Sequence, residues 1–248
     1  GSTGDGYKFA KENGLNVTKL SASLVGMTME EKWPTLLQGL SLKNVRSTAK
    51  AGKKTIYSEL GEMLFTHFGV SGPLIIELSS HMPEDFAQVN VTLDMKPGLT
   101  EEQVDLRLQR DFAENIRKQL SSVLTGLMPA RMAPVFANLC GVDADTPISQ
   151  VTREQRMAVG HALKALPLHV VGTRPIEEAI VTRGGVDVLE ITPGTMMSKK
   201  VPGLFFAGEV LDVDAHTGGF NLQIAFSTGA LAGKSAAAWA MEEHGLDD

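Results

Sequence analysis

Short apolar and alternating runs fill the chain from residue 21 to 97 and resume from 167 to 194. Gly, Pro and Asn interrupt them, as in SASLVGM, LKNVRSTAK, KKTIYSEL, GPLIIELSS and VNVTLDM. Runs of this length with such breaks are typical of antiparallel strands. The pattern therefore predicts that residues 21–97 and 167–194 form one small β-barrel-like domain.

A helical period separates the two strand-rich segments. Thr100 with Gln103, and Thr152 with Gln155, have the spacing of capping boxes, which begin helices. After the first box, apolar residues recur at every fourth position: Val104, Leu108, Phe112, Ile116 and Leu120. The pattern predicts a helical subdomain over residues 98–166, inserted into the sheet domain.

The two ends of the chain differ from both patterns. Residues 1–20 predict a loop, a short helix and a turn, with Gly14 at the position of a C-cap glycine. Residues 195–248 predict an apolar strand ending near Ala207, a Gly-rich loop, and a C-terminal helix that begins near Asn221. The sequence as a whole thus indicates an α+β fold.

Net charge, apolar runs and the cysteine and histidine content exclude several classes of function. The 248 residues carry a formal net charge of -6, so we expect no nucleic-acid partner. No apolar run approaches the roughly 20 residues that cross a bilayer, which predicts a protein outside the membrane. A single cysteine, Cys140, excludes an internal disulfide and favours the cytoplasm. The histidines lack clustered acidic or Cys partners, so we expect no structural metal.

The candidate chemistry lies near the C-terminus. Gly208-Glu209 places a carboxylate beside a backbone that a ligand can approach closely. Gly218-Gly219 leads into a helix, whose first N–H groups favour a carbonyl edge or an anion. The alternative is that the glycines form only a tight turn and that Glu209 is only a solvated strand end.

Four stretches resemble the YhiN/BaiN-like flavoproteins, also described as aminoacetone oxidase-like or NAD(P)/FAD-dependent oxidoreductases. They occur in the family's order: GSTGDGY, EMLFTHFGVSGP, AIVTRGGV and GLFFAGEVLDVDAHTGGFNLQIAFSTG. The resemblance implies a flavin-dependent oxidoreductase that uses FAD, with NAD(P)H as a possible redox partner and an unknown small molecule as substrate. It also assigns residues 1–20 and 195–248 to the remnant of a Rossmann-like FAD-binding domain.

The resemblance also implies the site residues. Gly208 and Glu209 are expected near the ribityl chain of FAD, and the loop and helix start at the pyrimidine edge of the flavin, namely Gly218, Gly219, Phe220, Asn221 and Leu222. Weaker cofactor candidates are Ser2, Thr3, Gly4, Gly184 and Gly185. Ala215-His216 and Phe220 depart from the Gly-Tyr and Tyr that the family usually has, so substrate preference is expected to differ.

One family feature is absent from the sequence. Complete members begin with a Gly-rich dinucleotide-binding turn, and no G-x-G-x-x-G occurs here. We therefore expect the C-terminal portion of a longer flavoprotein, with the missing N-terminal half as its partner and little activity alone. His67 is a weak candidate acid or base, and the favoured alternative is a histidine at a strand end that only hydrogen-bonds the backbone. The alternative function is a non-catalytic partner- or ligand-binding module without cofactor.

Overall fold

The computed structural model describes residues 3–244, with the backbone only at His244. In chain order the first elements are α1 (Asp5–Glu12), β1 (Ser21–Ser23), β2 (Met27–Met29), α2 (Trp33–Leu36), β3 (Ser41–Ala51), β4 (Lys54–Phe65), β5 (Gly69–Ser71), α3 (Pro73–Ser79) and β6 (Val89–Asp94). The remaining ones are α4 (Glu101–Glu114), α5 (Leu120–Leu124), α6 (Ala133–Leu139), α7 (Arg153–Ala165), β7 (Leu166–Leu168), β8 (Val170–Thr173), β9 (Val181–Arg183) and α8 (Phe220–His244).

The chain divides into two compact units. The sheet unit comprises residues 26–173, and the terminal unit comprises residues 1–25 together with 174–248. Each unit has its own cluster of buried apolar side chains. None of the helices in the described part of the chain has the combined length and hydropathy that a membrane span needs.

The sheet unit is built on a seven-stranded antiparallel sheet in the order β7-β6-β3-β4-β5-β2-β8. Alternation explains its packing, since Val45, Ser47 and Ala49 are buried whereas Arg46 and Thr48 between them are not. The antiparallel sheet confirms the strand prediction. The sheet stays open within the described residues, because the edge strands β7 and β8 are not paired with each other, so the predicted β-barrel-like domain has the antiparallel sheet but no closed barrel.

Two predicted strands have other structures. GPLIIELSS contains α3, because Pro73 suits the first turn of a helix and its apolar residues Leu74, Ile75 and Leu78 are buried at helical spacing. The predicted strand Leu204–Ala207 is irregular, apart from a single bridge between Phe205 and Met197. Short apolar runs do not distinguish strands from helices or buried loops.

The helical subdomain confirms both capping boxes. Thr100 and Thr152 each accept a hydrogen bond from the backbone N–H three residues later, and the glutamine at that position bonds back. The first helix is shorter than predicted, since it ends at Glu114 and leaves Ile116 54% exposed. Leu120 is buried, but it begins the separate helix α5.

A buried ion pair ties α7 to β6. Lys164 Nζ donates to Asp94 Oδ2 at 2.7 Å and to the carbonyl oxygens of Lys96 and Leu99 at 2.8 and 2.5 Å. The Lys164 and Asp94 side chains are only 12% and 18% exposed. Removal of one charge therefore leaves the other without its partner in a largely dry environment.

Lys164→Met is expected to lower the free energy of unfolding by about 3 kcal/mol, because the Asp94 carboxylate stays buried without its cation. Urea denaturation measures this change. Lys118→Met is the matched control, since Lys118 is an exposed lysine of the same subdomain and its replacement should change stability by less than about 0.5 kcal/mol. Equal stabilities for the two variants would show that the buried pair contributes little.

The terminal unit contains α1, the antiparallel pair β1-β9, and α8. Gly14 follows α1 with φ +74°, which confirms its predicted role at the end of that helix. Apolar side chains from all parts of the unit form its core: Ala10, Leu15, Val186, Ile191, Met196, Phe206, Leu211 and Ala232. Besides isolated bridges, the described part of this unit has only the two-stranded antiparallel sheet, so a Rossmann-like arrangement is not shown.

Candidate functional site

Two side chains hold residues 214–216 of the loop before α8. Asn221 Nδ2 donates to the carbonyl oxygens of Ala215 and His216 at 2.8 and 3.3 Å, and its Oδ1 accepts from the N–H of Ala215 at 2.9 Å. At the preceding residue, Ser23 Oγ donates to Asp214 Oδ2 at 2.8 Å. Asn221 thus fixes the loop backbone with its side chain.

Two consecutive glycines connect this loop to α8. Gly218 and Gly219 have φ of +101° and +94°, a region that residues with a Cβ rarely adopt. Both are exposed. Because the first N–H groups of a helix have no partner within it, this end of α8 offers donors and a partial positive charge to a ligand.

An open pocket of about 450 Å3 lies beside the start of α8. Its polar margin includes Glu209, Thr217, Gly218, Gly219 and Asn221. Its wall is mainly apolar: Leu24, Ile180, Val181, Val213, Leu222, Ile224 and Ala225. We call this space the ring pocket. An apolar wall with a few polar groups along one margin is typical of sites for small organic ligands and cofactors.

Glu209 is the residue that the ring pocket shares with a second pocket of about 420 Å3. Its Oε1 accepts a hydrogen bond from the backbone N–H of Thr182 at 2.6 Å. Thr3, Gly4 and Tyr7 also line the second pocket, which we call the α1 pocket. The geometry suits an elongated ligand that occupies both pockets and passes the Glu209 carboxylate.

Tyr7 closes one side of the α1 pocket. Its hydroxyl donates to the carbonyl oxygen of Glu209 at 3.4 Å. Burial, and next the negative charge of Glu209, raise the pKa of the Tyr7 phenol. The phenol is therefore a hydrogen-bond donor at neutral pH, without negative charge.

Gly208 turns the chain so that Glu209 reaches this position. Its φ is +72°, and its N–H donates to Thr228 Oγ1 at 2.9 Å. Thr228 Oγ1 in turn donates to the carbonyl oxygen of Ile224 inside α8, at 2.7 Å. The Gly208-Glu209 turn is thus anchored to the same helix whose first residues border the ring pocket.

Gly184 and Gly185 are buried and belong to neither pocket as the structure describes them. A Cβ on Gly184 would lie 2.2 Å from the carbonyl oxygen of Lys19, and one on Gly185 would lie 2.6 Å from that of Val210. Their φ values are +89° and +148°. The pair allows two backbone segments to approach closely and so supports the turn that carries Glu209.

The remaining candidate residues, Phe220, His67 and Ser2, are not among the described residues that line the two pockets. Phe220 is 59% exposed and is absent from the described wall of the ring pocket. His67 is exposed in the sheet unit, where its ring packs edge-to-face against Phe68 at 5.0 Å. Ser2 lies outside the described residues. The structure therefore brings together Gly208, Glu209, Gly218, Gly219, Asn221 and Leu222 around one pocket, and Thr3 and Gly4 with Glu209 around the other.

Sequence reasoning missed several pocket residues, because they are apolar or act through the backbone. Thr182 contributes its N–H to Glu209, and Ile180 and Val181 contribute apolar wall. These three belong to AIVTRGGV, so the resemblance could have indicated them. Leu24 is 1% exposed and has φ +53°, a strained backbone that no sequence signal reveals.

Comparisons with known proteins identify the family of the chain. The family model described as "HI0933-like protein barrel and H2TH domain" matches residues 21–181. The chain is 34% identical over 231 residues to the "Ribosomal RNA dihydrouridine synthase" of Escherichia coli K12, covering 92% of this chain and 55% of that protein. The protein of the same name from Haemophilus influenzae is also 34% identical, over 92% of this chain and 54% of that protein.

A third relative has a different printed activity. The "3-dehydro-bile acid delta(4,6)-reductase" of Clostridium scindens is 29% identical over 240 residues, covering 96% of this chain and 58% of that protein. The chain thus spans little more than half the length of the curated relatives it matches. The family match and the 34% identical relatives agree with the four sequence stretches, and the chain belongs to the HI0933-like family, the family of YhiN/BaiN-like flavoproteins.

Proposed function

We propose that the complete protein is an FAD-dependent oxidoreductase and that the terminal unit supplies much of its flavin site. The observation that carries the proposal is that the ring pocket and the α1 pocket share Glu209. FAD is an elongated molecule with a flat ring system at one end. Two adjoining pockets with one carboxylate between them suit such a ligand better than a compact one.

The residues present fit the flavin ring. Its flat face is apolar, as is the wall formed by residues such as Val181 and Ile224. Its pyrimidine edge carries carbonyl groups, which suit the donors at the start of α8 beyond Gly218-Gly219. The same helix end favours the negative charge of a reduced flavin. FAD supplies the hydride or electron transfer, and these residues orient the ring and tune its charge.

We further propose that the remaining length of the complete protein covers α8. Six apolar residues on this helix are exposed at spacings of three and four, a stripe free of charged residues: Leu222, Phe226, Ala230, Gly233, Ala237 and Met241. The neighbouring face is already packed, since Ala225 lies against Gly208 and Trp239 against Gly203. A helix that is apolar on both of these faces is typical of a protein interior. The relatives are long enough to supply that covering segment.

The proposals for the redox partner and the substrate concern the complete protein. We propose NAD(P)H as the reductant. The relatives named for ribosomal RNA dihydrouridine and for a 3-dehydro bile acid make an unsaturated carbonyl compound or a nucleobase the substrate classes to test. The described residues of the terminal unit alone are expected to have little activity, because only part of the covering of the ring pocket is present.

Purification of the full-length protein tests the flavin proposal. We expect it to carry stoichiometric FAD, and added FAD to raise the melting temperature of protein from which the flavin has been stripped. NADH and NADPH should then bleach the flavin absorbance at different rates, which identifies the reductant. A colourless full-length protein whose melting temperature FAD does not change would favour a non-catalytic binding module.

A further inference from the structure

Six cationic residues follow one another along the chain without an acidic residue between them, and five of the six lie on the β3-β4 hairpin. Residues 32–58 contain no Asp or Glu, although the whole chain has more acidic than basic residues. They contain six cationic residues: Lys32, Lys43, Arg46, Lys50, Lys53 and Lys54. The net charge of -6 is therefore the sum of +6 in residues 32–58 and -12 in the rest of the chain.

Four of these cations have no acidic partner in the described part of the chain: Arg46, Lys50, Lys53 and Lys54. Lys43 approaches Glu62 at 3.9 Å, with both side chains largely exposed. Asp94 lies opposite Arg46 in the sheet register, but it accepts a hydrogen bond from Lys164 at 2.7 Å. The charges near the hairpin tip are thus available to an external anion.

Apart from the exposed Leu60 opposite Arg46, the sheet face that carries Arg46 and Lys50 is rich in hydroxyl and amide groups. Thr48 lies between them, and its Oγ1 is 3.0 Å from Ser58 Oγ on β4. On the other side, Thr48 is opposite Thr92 and Lys50 is opposite Asn90 of β6. Cations together with hydroxyl and amide groups are the side chains that contact phosphate and sugar oxygens of nucleic acids.

We propose that this sheet face, with Arg46, Thr48, Lys50, Ser58, Asn90 and Thr92, together with Lys53 and Lys54 at the hairpin tip, binds the phosphate backbone of a structured RNA. Its register positions carry no aromatic side chain on which a base could stack, so the face suits sugar and phosphate contacts and recognition of shape. The similarity to two proteins named for ribosomal RNA makes RNA the favoured polyanion. The inference that this face binds RNA as a substrate rests on the proposed flavin function.

This inference revises the expectation that nucleic acid is excluded as a partner. That expectation used the charge of the entire chain. Binding to a polyanion depends on the local density of cations on the contacting surface, because each neutralised phosphate releases counterions locally. The acidic remainder of the chain repels RNA. Binding is therefore restricted to the basic face.

The test compares two variants of the full-length protein that each lose three positive charges. The hairpin variant carries Lys50→Gln, Lys53→Gln and Lys54→Gln. The control carries Lys11→Gln, Arg117→Gln and Lys118→Gln, all at exposed positions. The probe is a fluorescein-labelled RNA stem-loop, followed by fluorescence anisotropy over a series of salt concentrations. Melting temperatures confirm that both variants fold.

We expect the hairpin variant to bind the stem-loop at least about tenfold more weakly and to lower the slope of log affinity against log salt by about two. The control should change affinity less than about twofold. A third variant, Lys50→Arg with Lys53→Arg and Lys54→Arg, should retain binding because it retains the charges. Equal weakening by the hairpin and control variants, or no binding of the stem-loop by the unchanged protein, would overturn the proposal.

Binding to vesicles of phosphatidylcholine with phosphatidylglycerol is measured as well, to distinguish anionic lipid from RNA. If the hairpin variant loses vesicle binding while its RNA affinity is unchanged, the face binds anionic lipid and the RNA proposal is wrong. Flavin content is measured on the same samples. A hairpin variant that keeps its FAD but loses RNA separates this inference from the flavin proposal, which fails only if the unchanged protein lacks FAD.

Discussion

Gly184→Ala should lower the free energy of unfolding by about 3–5 kcal/mol, a large effect for the addition of one methyl group. The added Cβ would lie 2.2 Å from the carbonyl oxygen of Lys19 and 2.9 Å from its carbonyl carbon. Both are backbone atoms, so no side chain can rotate away. The φ of +89° adds strain for any residue with a Cβ.

The same change should also weaken flavin binding. Gly184 precedes Gly185, which packs against the backbone of Val210, and Val210 follows Glu209 directly. A shift that relieves the clash at Lys19 therefore displaces the turn that carries the Glu209 carboxylate. Urea denaturation measures the stability change, and the FAD retained after gel filtration measures the effect on the site.

Gly194→Ala is the matched control for Gly184→Ala. A Cβ on Gly194 meets no atom within 4 Å, and its φ lies outside the positive range. This control should be neutral or slightly stabilising, because alanine restricts the unfolded chain more than glycine does. If the two variants unfold at the same urea concentration, close backbone packing at Gly184 is not what holds the site in place.

The second large effect is expected for Glu209→Ala, which should weaken FAD binding at least about tenfold, as expected for loss of a charged hydrogen-bonding group. The carboxylate borders both pockets and holds the backbone N–H of Thr182 at 2.6 Å. Its removal leaves that N–H without its acceptor and removes the only acidic side chain of the ring-pocket wall in the described residues. Titration of FAD into flavin-free protein, followed by flavin fluorescence, gives the affinity.

Glu242→Ala is the control for Glu209→Ala. Glu242 is an exposed glutamate near the other end of α8, so its loss changes the net charge equally without touching either pocket. FAD affinity should stay within about twofold of the unchanged protein, as expected for a surface substitution away from the site. Equal affinities for both variants would remove Glu209 from the flavin site. Equal melting temperatures would show that any difference in affinity is not a folding effect.

The sequence predicted those parts of the fold that depend on local signals. Two capping boxes begin α4 and α7, Gly14 follows α1, and α8 begins at Phe220, one residue before the predicted start. Long alternating runs such as that of β3 became strands of one antiparallel sheet. In each case the information lies within a few consecutive residues.

The errors come from tertiary context. GPLIIELSS and GLFFAGE are apolar over too few residues for periodicity to distinguish a strand from α3 or from an irregular buried segment. Closure of the sheet depends on whether β7 and β8 pair, which no local pattern encodes. The strained backbone of Leu24 and the close approach of Gly184 to Lys19 depend on residues far apart in the sequence.

The residues of the candidate site also divide into those with a local sequence signal and those without one. Glycines that need positive φ, together with Glu209, were recognised because the resemblance and the backbone requirement coincide at Gly208, Gly218 and Gly219. Apolar wall residues such as Ile224 have no chemical signal of their own. The basic hairpin was overlooked for another reason, since the sum over the chain hides its local excess of charge.

A crystal structure of the full-length protein grown with FAD tests the central claim most directly. We predict a flavin ring in the ring pocket, with its pyrimidine edge at the Gly218-Gly219 end of α8, and the rest of the molecule passing Glu209 toward the α1 pocket with Tyr7. A flavin bound elsewhere, with both pockets filled by side chains or solvent, would contradict the account.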